Sequence, residues 1–157
     1  MLPTSQTSKL VNDVHTDVVL QSFADRVLVL ITQLGKVGNL IEARIPEAEP
    51  LLPPLAPPEG STEIPLPPPP PSVQLTPLFG NGPTEHSQTV HSLYAAQVAT
   101  LVWTEEAASG LGQERRPIIV GVALKKGAGN EGETLSEHDR TVFREVMTMV
   151  RSLVAQQ

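Results

Sequence analysis

Twelve of the sixteen prolines in this chain fall between Pro46 and Ser72, ending in the run Pro67-Pro68-Pro69-Pro70-Pro71. Proline lacks the amide N–H that helices and sheet ladders use, and it biases the residue before it toward extended backbone. No regular element can run through residues 46–72, so whatever folds must be assembled from the chain on either side. Ordering the segment costs roughly 1–2 kcal/mol per residue in backbone entropy, and less at the prolines. Its large apolar side chains, Leu51, Leu52, Leu55, Ile64 and Leu66, return at most about 15 kcal/mol when fully buried. Residues 46–72 therefore read as a mobile, partly polyproline-II loop that interrupts one domain, residues 1–157, rather than separating two.

Before the loop the pattern is that of β-structure. His15–Phe23 is rich in β-branched residues, and in Arg26–Gln33 the residues Val27, Val29 and Ile31 alternate with Leu28 and Leu30. A strand that is apolar on both faces needs cover on both. Leu34-Gly35-Lys36-Val37-Gly38-Asn39 supplies turn chemistry between antiparallel strands. In Leu40–Ile45, Ile41, Ala43 and Ile45 oppose Glu42 and Arg44, so one face meets water.

Beyond the loop, Val73–Phe79 reads as a short strand in which Pro77 marks an edge or a bulge. Val90, Leu93, Tyr94, Gln97, Val98, Leu101 and Val102 follow at helical spacing. In the strand Ile118–Leu124, Gly121 and Ala123 leave low relief on one side, over which a helix can approach closely. Thr134-Leu135-Ser136-Glu137 has the form of a capping box, ahead of a terminal helix with Val142, Phe143, Val146, Met149, Val150, Leu153 and Val154 on one side. The sum is an α+β domain, an antiparallel sheet with two helices. Two helices cover one face of such a sheet, and the strand Val27–Ile31 then asks for a second subunit on the other.

Composition narrows the function. Eleven basic residues against seventeen acidic ones give a net charge of -6, which argues against a nucleic-acid binder. Cysteine is absent, so disulfides and cysteine-based metal sites are excluded. Neither a membrane-length apolar run nor a signal-like start is present, and a cytoplasmic, possibly also nuclear, location is expected.

The tempting site motifs do not hold up. Gly35-Lys36-Val37-Gly38 is no phosphate loop, because Leu30 stands where the first glycine belongs and Val37 where a hydroxyl residue belongs. The run Gly127-Ala128-Gly129-Asn130-Glu131-Gly132 lacks the full dinucleotide fingerprint and reads as a connector. His15, His86, His91 and His138 are too dispersed for a metal motif, and no nucleophile triad is recognisable. No catalytic residue, metal ligand or cofactor is expected, and the chain reads as a non-enzyme.

Candidate partner contacts are Leu34, Lys36 and Val37 in the turn and Arg140, Arg144 and Arg151 on the terminal helix. The bland alternative for the arginines is a solvated face. Trp103 suits either an interface or a core anchor. Pro65, Pro67, Pro68, Pro69, Pro70 and Pro71 match the ligand type read by profilin, SH3, WW and EVH1 modules, against the simpler reading of a linker insert.

The run Asp17-Val18-Val19-Leu20, continued by Arg26-Val27-Leu28-Val29-Leu30-Ile31-Thr32-Gln33-Leu34-Gly35-Lys36-Val37-Gly38, resembles the N-terminal half of the proteasome assembly chaperone 3 family. There a strand pair leads into an apolar strand, a Thr-Gln-Phe-Gly-Lys-Met-Gly-like turn and another strand. Leu34 stands for the phenylalanine and Val37 for the methionine. Tyr94–Val102, the strand Ile118–Lys125 and the amphipathic end also have counterparts, whereas the proline loop departs from the family pattern. The resemblance implies a six-stranded antiparallel sheet with elements in the order ββββ-(loop)-β-α-β-α, the first strand being Thr4–Val11, which the residues alone support weakly. It further implies dimerisation with a proteasome assembly chaperone 4-like subunit or with itself, and binding of proteasome alpha-type subunits while the alpha-ring closes. The chain finishes Val154-Ala155-Gln156-Gln157, without the hydrophobic-tyrosine-any tail of some proteasome-binding factors, so contact through a folded surface is expected. The alternative is an adaptor that displays a polyproline ligand on a small α+β domain.

Overall fold

The computed structural model describes residues 4–33, 35–51, 56–57, 59–61, 65–80, 84–108, 115–125 and 136–156. Its elements run β1 (Thr4–Val11), β2 (Val14–Ser22), β3 (Val27–Thr32), β4 (Asn39–Arg44), β5 (Gln74–Phe79), α1 (Glu85–Ala108), β6 (Ile118–Ala123) and α2 (Glu137–Ala155). This is the expected α+β order, and β1 is a full strand. The six strands form one sheet in the order β1-β2-β3-β6-β4-β5. Every neighbouring pair is antiparallel except β3 and β6, which are parallel.

That exception corrects the reading of residues 34–39 as a simple hairpin turn. β3 and β4 are not neighbours, because β6 lies between them. The connection instead wraps the C-terminal end of β6, where Gln33 N donates to the Ala123 carbonyl (2.8 Å) and Lys125 N donates to Gln33 Oε1 (3.0 Å). Gly38 is required there: its φ is +72°, and a Cβ would come within 2.4 Å of the Val122 carbonyl oxygen. The driving force is burial, since all six residues of β6 are buried and an apolar strand is best placed at the centre of a sheet.

One face of the sheet carries the core. Val18, Leu20, Val27, Val29, Ile31, Ile41, Ala43, Ile118, Val120 and Val122 point into it. α1 lies over β6 and β4, and α2 over β1 and β2. Tyr94 and Phe143 join the two helices edge to face, with centroids 5.1 Å apart. As expected from Pro77, β5 is an edge strand, and its ladder with β4 is irregular between Leu40 and Ile41.

α2 starts two residues later than the sequence motif suggested. The capping box is built by Ser136 and Asp139, with Asp139 N donating to Ser136 Oγ (3.1 Å) and Ser136 N donating to Asp139 Oδ2 (3.2 Å). Two overlapping hydroxyl-x-x-acid motifs occur here, and the later one keeps Val142 and Val146 on the buried side. Thr134 lies outside the described residues.

The proline segment departs from the expectation of a loop free of the domain. Leu51 and Leu66 pack against the core. Gln97 Nε2 on α1 donates to the Pro67 carbonyl (2.8 Å), and Arg151 Nη2 on α2 donates to the Pro65 carbonyl (3.1 Å). These bonds add to the burial of Leu51 and Leu66, and they supply partners for carbonyls that a proline run cannot pair within itself. They also explain why Tyr94–Thr104 of α1 is buried nearly all round: the sheet lies on one side, α2 on another, and residues 65–71 on a third. A half-open cleft of about 310 Å³ remains between Pro67–Pro71, residues 49–51, Thr100 and Thr104.

Candidate protein-binding face

Among the described residues no helix covers the second face of the sheet, and only residues 35–39 lie against it, over Gly121 and Ala123. Alternation along each strand sends Val19, Leu28, Leu30, Leu40 and Ile119 to this side, and the register brings them together. Val19 pairs with Leu30, Leu30 with Gly121, Gly121 with Leu40, and Leu40 with Phe79. One cross-strand row therefore runs apolar from β2 to the β5 edge. Leu28 and Ile119 extend it in the next row. Phe79 is 68% exposed and Val37, on the connection beside Gly121, is 46% exposed.

Gly121 gives the row its flatness. A Cβ at this position would lie 2.7 Å from Leu30 Cδ2, 3.0 Å from Leu40 Cδ2 and 3.2 Å from the Val37 carbonyl oxygen. The two leucines close over the glycine and make one low apolar surface. The sequence suggested a helix over that low relief; Leu30, Leu40 and the backbone of Val37 occupy it instead.

Polar groups frame this surface. On the β1 side stand Thr4, Gln6 and Ser8, with the Ser8 hydroxyl bonded to Asp17 and His15 Nε2 3.0 Å from the Asp17 carboxylate. On the other side, Arg44 pairs with Glu42 at 2.5 Å. An apolar centre inside a polar rim is the anatomy of a protein–protein contact.

The expected contact residues do not form one site. Lys36 and Val37 are exposed on the connection next to this face, with Lys36 N donating to Thr32 Oγ1 (3.2 Å). Leu34 lies outside the described residues. Arg140, Arg144 and Arg151 belong to α2, in the other layer. Arg140 is exposed and 3.6 Å from Glu137, Arg144 is exposed, and Arg151 holds the Pro65 carbonyl. Trp103 is a core residue whose Nε1 donates to the Arg116 carbonyl (2.9 Å). Leu28 and Leu30 were legible as residues needing cover. Val19, Leu40, Ile119 and Phe79 were not singled out, although the alternation of β2 and β4 carries a signal for Val19 and Leu40.

Among the described residues no group of three or more His, Asp or Glu is placed to hold a metal ion, and no helix is long and apolar enough to cross a membrane. Burial pushes the Tyr94 phenol well above its ordinary value and holds the His91 ring below its own. His91 Nδ1 lies 2.9 Å from Asn39 Nδ2, a bond that joins α1 to β4 and uses the neutral ring. Because the unfolded chain takes up this proton at a higher pH than the folded one, acidification through about pH 6.5 favours unfolding. The melting temperature of the native chain is expected to fall more steeply than that of His91→Gln between pH 7 and pH 5. The two curves run parallel above pH 7, a comparison made by thermal denaturation across buffers.

No protein-family profile matches the chain, and no curated protein matches it significantly.

Proposed function

We propose that this chain is a non-catalytic assembly chaperone of the proteasome core particle. It pairs through the open sheet face with a proteasome assembly chaperone 4-like subunit or with a second copy of itself. The pair binds alpha-type subunits and promotes closure of the alpha-ring in the cytoplasm or nucleus. The observation that carries this reading is the uncovered row Val19, Leu30, Leu40 and Phe79 around Gly121. A flat apolar surface framed by polar groups is stabilised by a second such surface stacked on it. The element order and six strands agree with what the resemblance to proteasome assembly chaperone 3 implies for the fold. The work of such a factor is binding: it favours one arrangement of subunits over others and needs no covalent step.

The test is gentle purification of the tagged chain from its native cells, with its companions identified by mass spectrometry. The expected result is alpha-type subunits together with one small paired chaperone and little mature beta subunit. Recovery of neither alpha-type subunits nor a paired chaperone removes the reading.

The adaptor alternative rests on a different part of the molecule, the proline run, which does not compete with the sheet face for space.

A further inference from the structure

Residues 66–70 each precede a proline, and residues 67–71 are all prolines. The first fact restricts the backbone to extended conformations and the second fixes φ near −65°, so this stretch is a polyproline-II rod with three residues per turn. Its burial follows that period. Pro67 is buried and Pro70 half-buried, while Pro68, Pro69 and Pro71 are exposed. One edge of the rod therefore packs toward α1, and the edge Pro68/Pro71 together with Pro69 faces outward.

Modules that read polyproline-II ligands clamp such a rod between aromatic side chains and leave part of it untouched. The edge this protein covers is the part a module can do without. Arg151 and Gln97 hold the rod by the carbonyls of Pro65 and Pro67. Val73 N donates to the Pro70 carbonyl (3.2 Å), closing the turn that ends it. Ordering has already been accomplished by folding, so a partner gains affinity from preorganisation. Charge favours some partners over others: Glu49 lines the cleft beside Pro67–Pro71, Arg151 is engaged by the Pro65 carbonyl, and the sequence of residues 46–72 holds four glutamates and neither lysine nor arginine. A groove with a basic rim complements this, and one with an acidic rim is repelled.

We infer that the docked proline rod is a binding site for a protein module with an aromatic-lined, basic-rimmed groove, read through Pro68, Pro69 and Pro71. The rod lies on the helical layer, away from the open sheet face, so both surfaces can be occupied together. The inference stands independently of the proposed assembly role.

The test uses the unlabelled full-length chain titrated into three ¹⁵N-labelled probes: a WW domain, an EVH1 domain and profilin. Support consists of shifts confined to the aromatic groove of at least one probe, weakened by added salt. The double variant Pro68→Ala/Pro71→Ala then lowers that affinity at least tenfold while its melting temperature stays at the native value, since neither ring is buried. Gln97→Ala, which removes one latch, lowers affinity a few-fold. The inference is overturned if no probe responds at millimolar chain or if the double variant binds as the native chain does. Tenfold tighter binding by Gln97→Ala also overturns it, because the docked rod is then the occluded form and not the ligand.

Discussion

Leu30→Arg is expected to leave the domain folded and to weaken pairing through the open sheet face by about a hundredfold or more. Leu30 is half-buried in the isolated chain, lying against Gly121 beside Leu40. On β3 it occupies the middle of the apolar row. A guanidinium there can reach water as long as the face is open, so the cost to the single chain is small. Once a second surface covers the row, the same charge is trapped without a partner, at a cost of about 3–5 kcal/mol, or roughly 10²–10⁴ in affinity. Light scattering on the eluting peak reads the effect as a change from the mass of a pair to that of one chain. Circular dichroism verifies that the secondary structure survives. Leu93→Arg is the control: Leu93 is 44% exposed but lies on α1, in the other layer, and its substitution leaves pairing unchanged. If Leu93→Arg separates the subunits and Leu30→Arg does not, association runs through the helices and the open face is not the contact.

Why this face was only half legible in the sequence follows from what periodicity can encode. Alternation along Val27–Ile31 shows that Leu28 and Leu30 need cover, because the strand has no polar side. It does not show which strands lie beside it. The row exists because β6 enters between β3 and β4 and brings Gly121 between Leu30 and Leu40, and this neighbour relation links residues far apart in the chain. The glycine-rich connection 34–39 looked like a tight turn for the same reason: local turn chemistry is identical whether the flanking strands pair or leave a gap for a third.

The element order from β2 onward, by contrast, was readable, since those strands and helices carry their own pattern, whereas Thr4–Val11 has too few apolar residues to signal a strand by itself. Polar residues inside α1 were harder. Thr100 bonds back to the Ala96 carbonyl (2.7 Å), which spacing does not express, and although Gln97 falls on the apolar stripe by spacing, its partner, the Pro67 carbonyl, is not visible there. The arginines of α2 were misleading in a related way. Spacing separates Arg140, Arg144 and Arg151 from the apolar stripe but does not reveal that Arg151 is used internally.

Trp103→Ala is expected to be the most destabilising single change in the helical layer, costing about 3–5 kcal/mol. The indole is buried at the end of α1, and its N–H meets the Arg116 carbonyl at 2.9 Å. Arg116 leads into β6 and is itself anchored. Its guanidinium donates to Ser22 Oγ (2.8 Å) and the Phe23 carbonyl, and pairs with Glu106. Trp103 thus fixes the start of the central strand against the end of α1, and truncation leaves both a void and an unpaired carbonyl. Urea denaturation followed by circular dichroism measures the loss, because the variant has no tryptophan to report. Trp103→Phe fills much of the void but cannot donate, so it should fall between the native chain and Trp103→Ala. A cost below about 1 kcal/mol for Trp103→Ala contradicts this placement. Binding provides a second check. Trp103 is remote from the Leu30 row, so Trp103→Phe should pair normally at temperatures where it remains folded. A pairing defect in a folded Trp103→Phe would move the contact surface to the helical layer and assign Trp103 to the interface rather than to the core.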